Sequence, residues 1–188
     1  MTNTFTHQMV ISGVGGQGVL FVTRLLAEAA IAKALPVFTS ETHGMAQRGG
    51  TVISHLKVGP FASPLINPGR ADSLIAMKAE NLAPHGGYLK PTGWAAVNGT
   101  AGDGQPSPLK TFFLDADGLA AKLGNPKAVN LIMLGFFLAR NTVEQAHTAP
   151  FFCDLEDISV ILEKRLHKNP QLLAASVQAL KIGVEYPP

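Results

Sequence analysis

Near the start of the chain the rhythm of apolar residues changes once, and the change separates a strand from a helix. Residues 9–12 form a short apolar strand. Val19, Val22, Leu25, Leu26 and Ala29 then recur at three- and four-residue spacing, one face of a helix that runs to about Lys33. Pro36 opens a second strand over residues 37–39, spaced to lie parallel to the first through a right-handed crossover.

The next residues, 40–50, are polar, carry Gly44, Gly49 and Gly50, and keep neither period, so they read as a loop. Residues 51–58 alternate, with Val52, Leu56 and Val58 on one side and Thr51, His55 and Lys57 on the other, as in a half-buried strand ended by Gly59-Pro60. A buried strand is expected at 73–77, a brief helix at 79–83, and a return into the sheet as two pieces, 88–91 and 94–98. Residues 99–108 are loop-forming, and 111–114 resume as a strand.

Helices fill the remainder. Asp115 or Asp117 is placed to cap one through Leu123, and Asn125-Pro126 opens another that reaches Arg140 and is apolar nearly all round. Asp154 caps a third, whose buried stripe is Leu155, Ile158, Ile161, Leu162 and Leu166. Asn169-Pro170 starts a fourth, which turns Leu173, Val177 and Leu180 inward and stops at Gly183. The expected architecture is one α/β domain over residues 1–188, a three-layer Rossmann-like arrangement with a mainly parallel sheet and flanking helices.

Composition narrows the function classes. With 46% hydrophobic and 15% charged residues, the chain has apolar surface to spare for partner contacts. The formal charge of +2 and the scattered Lys and Arg argue against a nucleic-acid partner. The apolar stretch 131–139 falls well short of the roughly 20 residues of a membrane span, and no export signal is read at the start. Cys153, the single cysteine, cannot by itself hold an iron–sulfur cluster, and the six histidines show no metal-ligand spacing. No metal is expected, and Cys153, beside Phe151 and Phe152, reads as a small buried hydrophobe.

The turn between the first strand and helix is Gly13-Val14-Gly15-Gly16-Gln17-Gly18, in which Gly13, Gly15 and Gly18 keep the spacing of a dinucleotide fingerprint. In that motif the first glycine permits the turn, the second lets backbone N–H groups approach a phosphate, and the third allows close helix packing. Glu41 lies about where a ribose-binding acid would. A stand-alone dinucleotide-binding oxidoreductase, a plain structural turn, and a non-enzymatic module that binds coenzyme A or holds an assembly together all remain open at this point. The extra Gly16 and the Gln17 amide make the turn more polar than packing alone requires.

The run Val-Gly-Gly-Gln-Gly at 14–18, taken with Glu-Thr-His-Gly-Met-Ala-Gln-Arg-Gly-Gly at 41–50, resembles the gamma subunits of the 2-oxoacid:ferredoxin oxidoreductases. The likeness continues through Arg70-Ala71-Asp72, Leu89-Lys90-Pro91-Thr92-Gly93, residues 130–135 and the two closing helices, nearly the whole chain. The form of residues 43–50 is closer to the small subunit of indolepyruvate oxidoreductase than to the pyruvate type.

The resemblance implies a cytoplasmic subunit that packs beside alpha- and beta-type partners carrying thiamine diphosphate, Mg and iron–sulfur clusters. Such a complex oxidatively decarboxylates a 2-oxoacid, with an aryl pyruvate as candidate, reduces ferredoxin and transfers the acyl group to coenzyme A. The chain would hold no redox centre, supply no catalytic residue and be inactive alone, where it could pair as a homodimer. Gly13, Gly15, Gly16, Gln17 and Gly18, with Glu41, His43, Gln47, Arg48 and Gly49, would face the partners and shape the coenzyme A or substrate side of the active site. Arg48 offers a planar fork for a carboxylate or phosphate, or an ion pair with Glu41 in its own loop. His43 reads as a local hydrogen-bond partner rather than an acid or base, and Gln17 and Gln47 as amides that orient loops.

Overall fold

The computed structural model describes residues 5–43, 50–100, 109–144 and 151–186. In chain order its elements are β1 (His7–Val14), α1 (Val19–Ala32), β2 (Val37–His43), β3 (Thr51–Val58), β4 (Ala71–Ala76), α2 (Leu82–His85), β5 (Leu89–Asn98), β6 (Lys110–Leu114), α3 (Ala116–Lys122), α4 (Val129–Glu144), α5 (Leu155–Leu166) and α6 (Pro170–Glu185). The strands form one sheet in the order β2-β3-β1-β4-β5-β6. The pairs β1–β4, β4–β5 and β5–β6 are parallel, and β3 runs against both β1 and β2. The sheet is therefore mainly parallel.

The expected relation between the first two strands holds only in direction. β2 runs the same way as β1, but β3 lies between them and bonds to both. The cause is local: the chain leaves β2 and returns at once as an antiparallel neighbour, which a short connection permits, whereas a parallel neighbour needs a long crossover. β2 also extends to His43, so the first residues of the expected loop are strand.

The two faces of the sheet are covered unequally. Residues of α1, α3, α4, α5 and α6 join Met9, Ile11, Leu56, Ile75, Trp94 and Ala96 in one core on a single face. Trp94 stacks on Phe137 at 4.9 Å between ring centroids, and burial of side chains of this size contributes roughly 1.5–3 kcal/mol each. Val10, Ile53, Leu74, Ala76, Ala95 and Val97 look the other way, toward Ile66 and Leu82. Among the described residues no long helix covers that face; its thin third layer is the strap 59–70 and the helical segment 79–88.

The strap explains why β3 is not half-buried as its alternation suggests. His55 and Lys57 are only 3% and 8% exposed. His55 Nδ1 accepts the Ile66 N–H at 3.1 Å, and Lys57 Nζ donates to the Leu65 carbonyl at 2.8 Å. Two further expectations change. The pieces expected at 88–91 and 94–98 are one strand, with a register shift opposite Ala71 and Ser73. Gly183 does not end α6, which continues to Glu185; a Cβ on Gly183 would collide with the Ile132 carbonyl of α4, and one on Gly135 with the Leu180 carbonyl of α6. Glycine here permits close approach of two helix backbones rather than a stop.

The caps follow the side chains available. Asp115, Asp154 and Asn169 accept the N–H groups of Gly118, Asp157 and Leu172, and Asp154 with Asp157 forms a capping box. Asn125 makes no such bond, because a 3-10 turn at Pro126–Ala128 precedes α4. Cys153 is buried at 5% exposure, and burial pushes its thiol well above the usual range.

Candidate functional site

The glycine turn is held by one side chain from within. Gln17 Oε1 accepts the Val14 N–H at 2.7 Å, the Gln17 N–H donates to the Val14 carbonyl at 3.1 Å, and Gln17 Nε2 donates to the Met77 carbonyl at 3.3 Å. The amide thus closes its own turn and ties it to the end of β4. Gly15 N–H donates to the Gly50 carbonyl at 3.1 Å, which joins the turn to the end of the second motif.

The left-handed positions are Gly16 (φ 94°) and Gly18 (φ 81°), while Gly13 stays in β1. This revises the roles that motif spacing assigns. A Cβ on Gly13 would lie 2.8 Å from Val19 Cγ2, so the first glycine serves helix–strand packing. A Cβ on Gly18 would collide with the Asn130 amide, so the third packs against the start of α4. Gly18 is also the N-cap of α1 and leaves its first turn without a side-chain cap.

A cleft of about 480 Å³ opens in front of this turn, lined by Gly15, Gly16, Gly18, Leu20, Phe21 and Arg24 among others. A second hollow of about 530 Å³ lies along α1 toward Thr39, Ser40 and Glu41. Arg24 and Arg165 line both, so the two form one groove along the solvent side of α1. Arg165 reaches Glu28 through Nε, at 2.9 and 3.1 Å, and through Nη2. That hydrogen bonding holds the Glu28 carboxyl below its ordinary range, with Arg24 adding to the effect. Arg24 and Arg165 line the cleft before the turn, whereas Glu28 and Glu41 line the second hollow, so it is the end beside the uncapped N–H groups that suits an anionic ligand.

Glu41 is exposed on β2, opposite Ser54, which in turn pairs with Ile11. It lines the second hollow and lies level with the middle of β1. His43 closes β2 opposite Val52. Gln47, Arg48 and Gly49 lie outside the described residues. Among the described residues no group of three or more His, Cys, Asp or Glu is placed to hold a metal ion, and no helix is long and apolar enough to cross a membrane.

Sequence reasoning missed Asn98, Met77, Asn130, Arg24 and Arg165. Asn98 gave a faint signal as the polar end of an apolar strand. Arg24 and Arg165 gave none, since exposed arginines on helices are ordinary.

Residues 8–186 match the family described as pyruvate ferredoxin/flavodoxin oxidoreductase. Indolepyruvate oxidoreductase subunit IorB of Archaeoglobus fulgidus is 28% identical over 195 residues, which cover 93% of this chain and 92% of that one. The gamma subunit of a keto/oxoacid ferredoxin oxidoreductase from Geobacter sulfurreducens shares the fold with a TM-score of 0.72 at 22% identity, covering 95% of this chain and 96% of that one. A 2-oxoglutarate:ferredoxin oxidoreductase from Magnetococcus marinus, solved with 2-oxoglutarate, coenzyme A and succinyl-CoA, gives a TM-score of 0.75 at 17% identity. The match covers 95% of this chain but 30% of that longer one. The chain belongs to the pyruvate ferredoxin/flavodoxin oxidoreductase family and is an oxidoreductase component of that class.

Proposed function

We propose that this chain, as one domain, is the gamma-type subunit of a thiamine-diphosphate-dependent 2-oxoacid:ferredoxin oxidoreductase, acting on an aryl pyruvate. Its groove along α1 forms the coenzyme A side of the shared active site. The observation that carries this reading is the convergence of the glycine turn, the uncapped start of α1, Arg24 and Arg165 on one cleft. Gly16, whose Cβ position is open, lets backbone approach an anionic group closely, and the two guanidinium groups supply charge for a phosphate. Glu41 lines the groove, and with His43, Gln47, Arg48 and Gly49 it is assigned to contact with the partner subunits.

Carbonyl chemistry and electron transfer belong to thiamine diphosphate with Mg and to the iron–sulfur clusters of the alpha- and beta-type partners, with ferredoxin as acceptor. The donor set of this chain fits no cluster, because Cys153 is its single cysteine and is held as a buried thiol. Its own residues bind, orient and exclude water.

The dinucleotide reading meets two physical obstacles. In the fingerprint the ribose acid ends the strand beside the glycine turn, whereas here β3 separates β2 from β1. The crevice between the ends of β1 and β4, where a dinucleotide would lie, is bridged by Gln17 bonding to the Met77 carbonyl.

Affinity purification of the tagged chain from its native cytoplasm tests the proposal, with the co-purifying subunits identified and 2-oxoacid- and coenzyme A-dependent dye reduction assayed. A larger partner carrying thiamine and iron–sulfur centres, with that activity, is expected. Recovery of the chain alone with a bound dinucleotide would overturn it.

A further inference from the structure

The Met77 carbonyl accepts two side-chain amides from opposite sides of the turn. Gln17 Nε2 donates at 3.3 Å and Asn98 Nδ2 at 3.1 Å, which uses both lone pairs. The Met77 N–H donates to the Ser12 carbonyl at 2.8 Å, so the backbone of this one residue joins β1, the glycine turn and the end of β5. Asn98 is 3% exposed and both its amide donors are used: Nδ2 also donates to Asp117 Oδ2 at 2.8 Å, while Oδ1 accepts the Ala116 N–H at 2.9 Å.

We propose that Asn98 is a positioning residue for the glycine turn, acting through the Met77 carbonyl on Gln17. This rests on the reading that the turn forms a wall of the coenzyme A groove. The relay is short and directional. The start of α3 fixes Asn98, Asn98 and Gln17 share one carbonyl, and Gln17 holds Val14, which precedes Gly15, at both its N–H and its carbonyl. Val14, Gly15, Gly16 and Gly18 then line the cleft.

Asparagine is required at position 98 because the position must donate twice and accept once. Aspartate keeps the acceptor and the shape but has no donor, and it turns a carboxylate toward both the Met77 carbonyl and Asp117. Alanine removes the donors without adding charge. Because Asn98 touches none of the groove, any effect of changing it on ligand affinity must travel through the turn.

The test uses the complex assembled with its partner subunits and compares Gln17→Ala, Asn98→Asp, Asn98→Ala and the double variant Gln17→Ala/Asn98→Ala. Each single change is expected to raise KM for coenzyme A about tenfold while kcat stays within about twofold, with the 2-oxoacid KM unmoved. The double variant should resemble Gln17→Ala alone, because both residues act through one carbonyl. Asn98→Ala serves if Asn98→Asp does not assemble. A raised KM in Gln17→Ala with a lowered Tm but unchanged KM in both Asn98 variants would overturn the positioning role and leave the groove reading standing. Multiplying effects in the double variant would also overturn it. An unchanged KM and assembly in Gln17→Ala would overturn the groove reading and the positioning role together.

Discussion

Glu41 stands directly opposite Ser54 on β3, and an entire antiparallel strand therefore separates it from the glycine turn it would have to serve in a dinucleotide site. With neighbouring strands about 4.8 Å apart, β2 lies roughly twice that distance from β1. NAD titrated to millimolar concentration into the folded chain should give no saturable heat in calorimetry, and Glu41→Ala should leave that result unchanged. Stoichiometric binding, abolished in Glu41→Ala, would restore the nucleotide reading.

Gly183→Ala should destabilise the chain, although alanine is the better helix former by about 1 kcal/mol at exposed sites. The added Cβ meets the Ile132 carbonyl and lies 2.7 Å from the Phe136 nitrogen of α4. Separating two packed helices costs more than propensity returns, and a net loss of about 1–3 kcal/mol is expected. Urea unfolding, read as a lower midpoint at unchanged slope, checks it. An unchanged or higher midpoint would mean that α4 and α6 do not pack backbone to backbone.

His7 makes stability fall in mild acid. Fully buried on β1 beside Ser73, its imidazole is pushed by desolvation from 6.5 down to about 4, against an opposing pull from Asp72. The unfolded chain therefore binds the proton more tightly, and stability present above about pH 6.5 drains away as pH falls toward 4. The full effect is about 3 kcal/mol. Denaturation midpoints measured between these pH values should fall, and the slope should shrink in His7→Gln.

His55 governs the strap in the same direction. Its Nδ1 accepts the Ile66 N–H only while unprotonated, and burial, followed by the Lys57 and His85 charges, lowers its pKa below the ordinary histidine range. Hydrogen exchange of residues 60–68, corrected for intrinsic rates, should accelerate below that range and stay slow at neutral pH. His55→Gln, which keeps an acceptor that does not titrate, should remove the pH dependence.

Several features were legible in the sequence because they are local. The span Thr51–Val58, the strand-turn-helix start and the caps at Asp154 and Asn169 each follow from residues within a few positions of one another. What stayed hidden depends on distant partners. The place of β3 between β1 and β2 is a choice of pairing, to which alternation is blind. His55 and Lys57 looked solvent-facing because the strap over them has no period of its own. Gly183 looked like a stop because a glycine that ends a helix and one that admits another helix are the same letter. At the site, the glycines stood out in the sequence, whereas Asn98, Met77 and Arg165 reach the turn or its groove from residues far along the chain.

The most direct measurement of the central claim is the KM for coenzyme A of the assembled complex carrying Arg24→Ala, alongside the KM for its 2-oxoacid. The groove reading predicts a rise of about five- to twentyfold for coenzyme A, corresponding to about 1–2 kcal/mol for a charged contact to phosphate, with the 2-oxoacid value unchanged. Unchanged values for both substrates, or a rise confined to the 2-oxoacid, would contradict it.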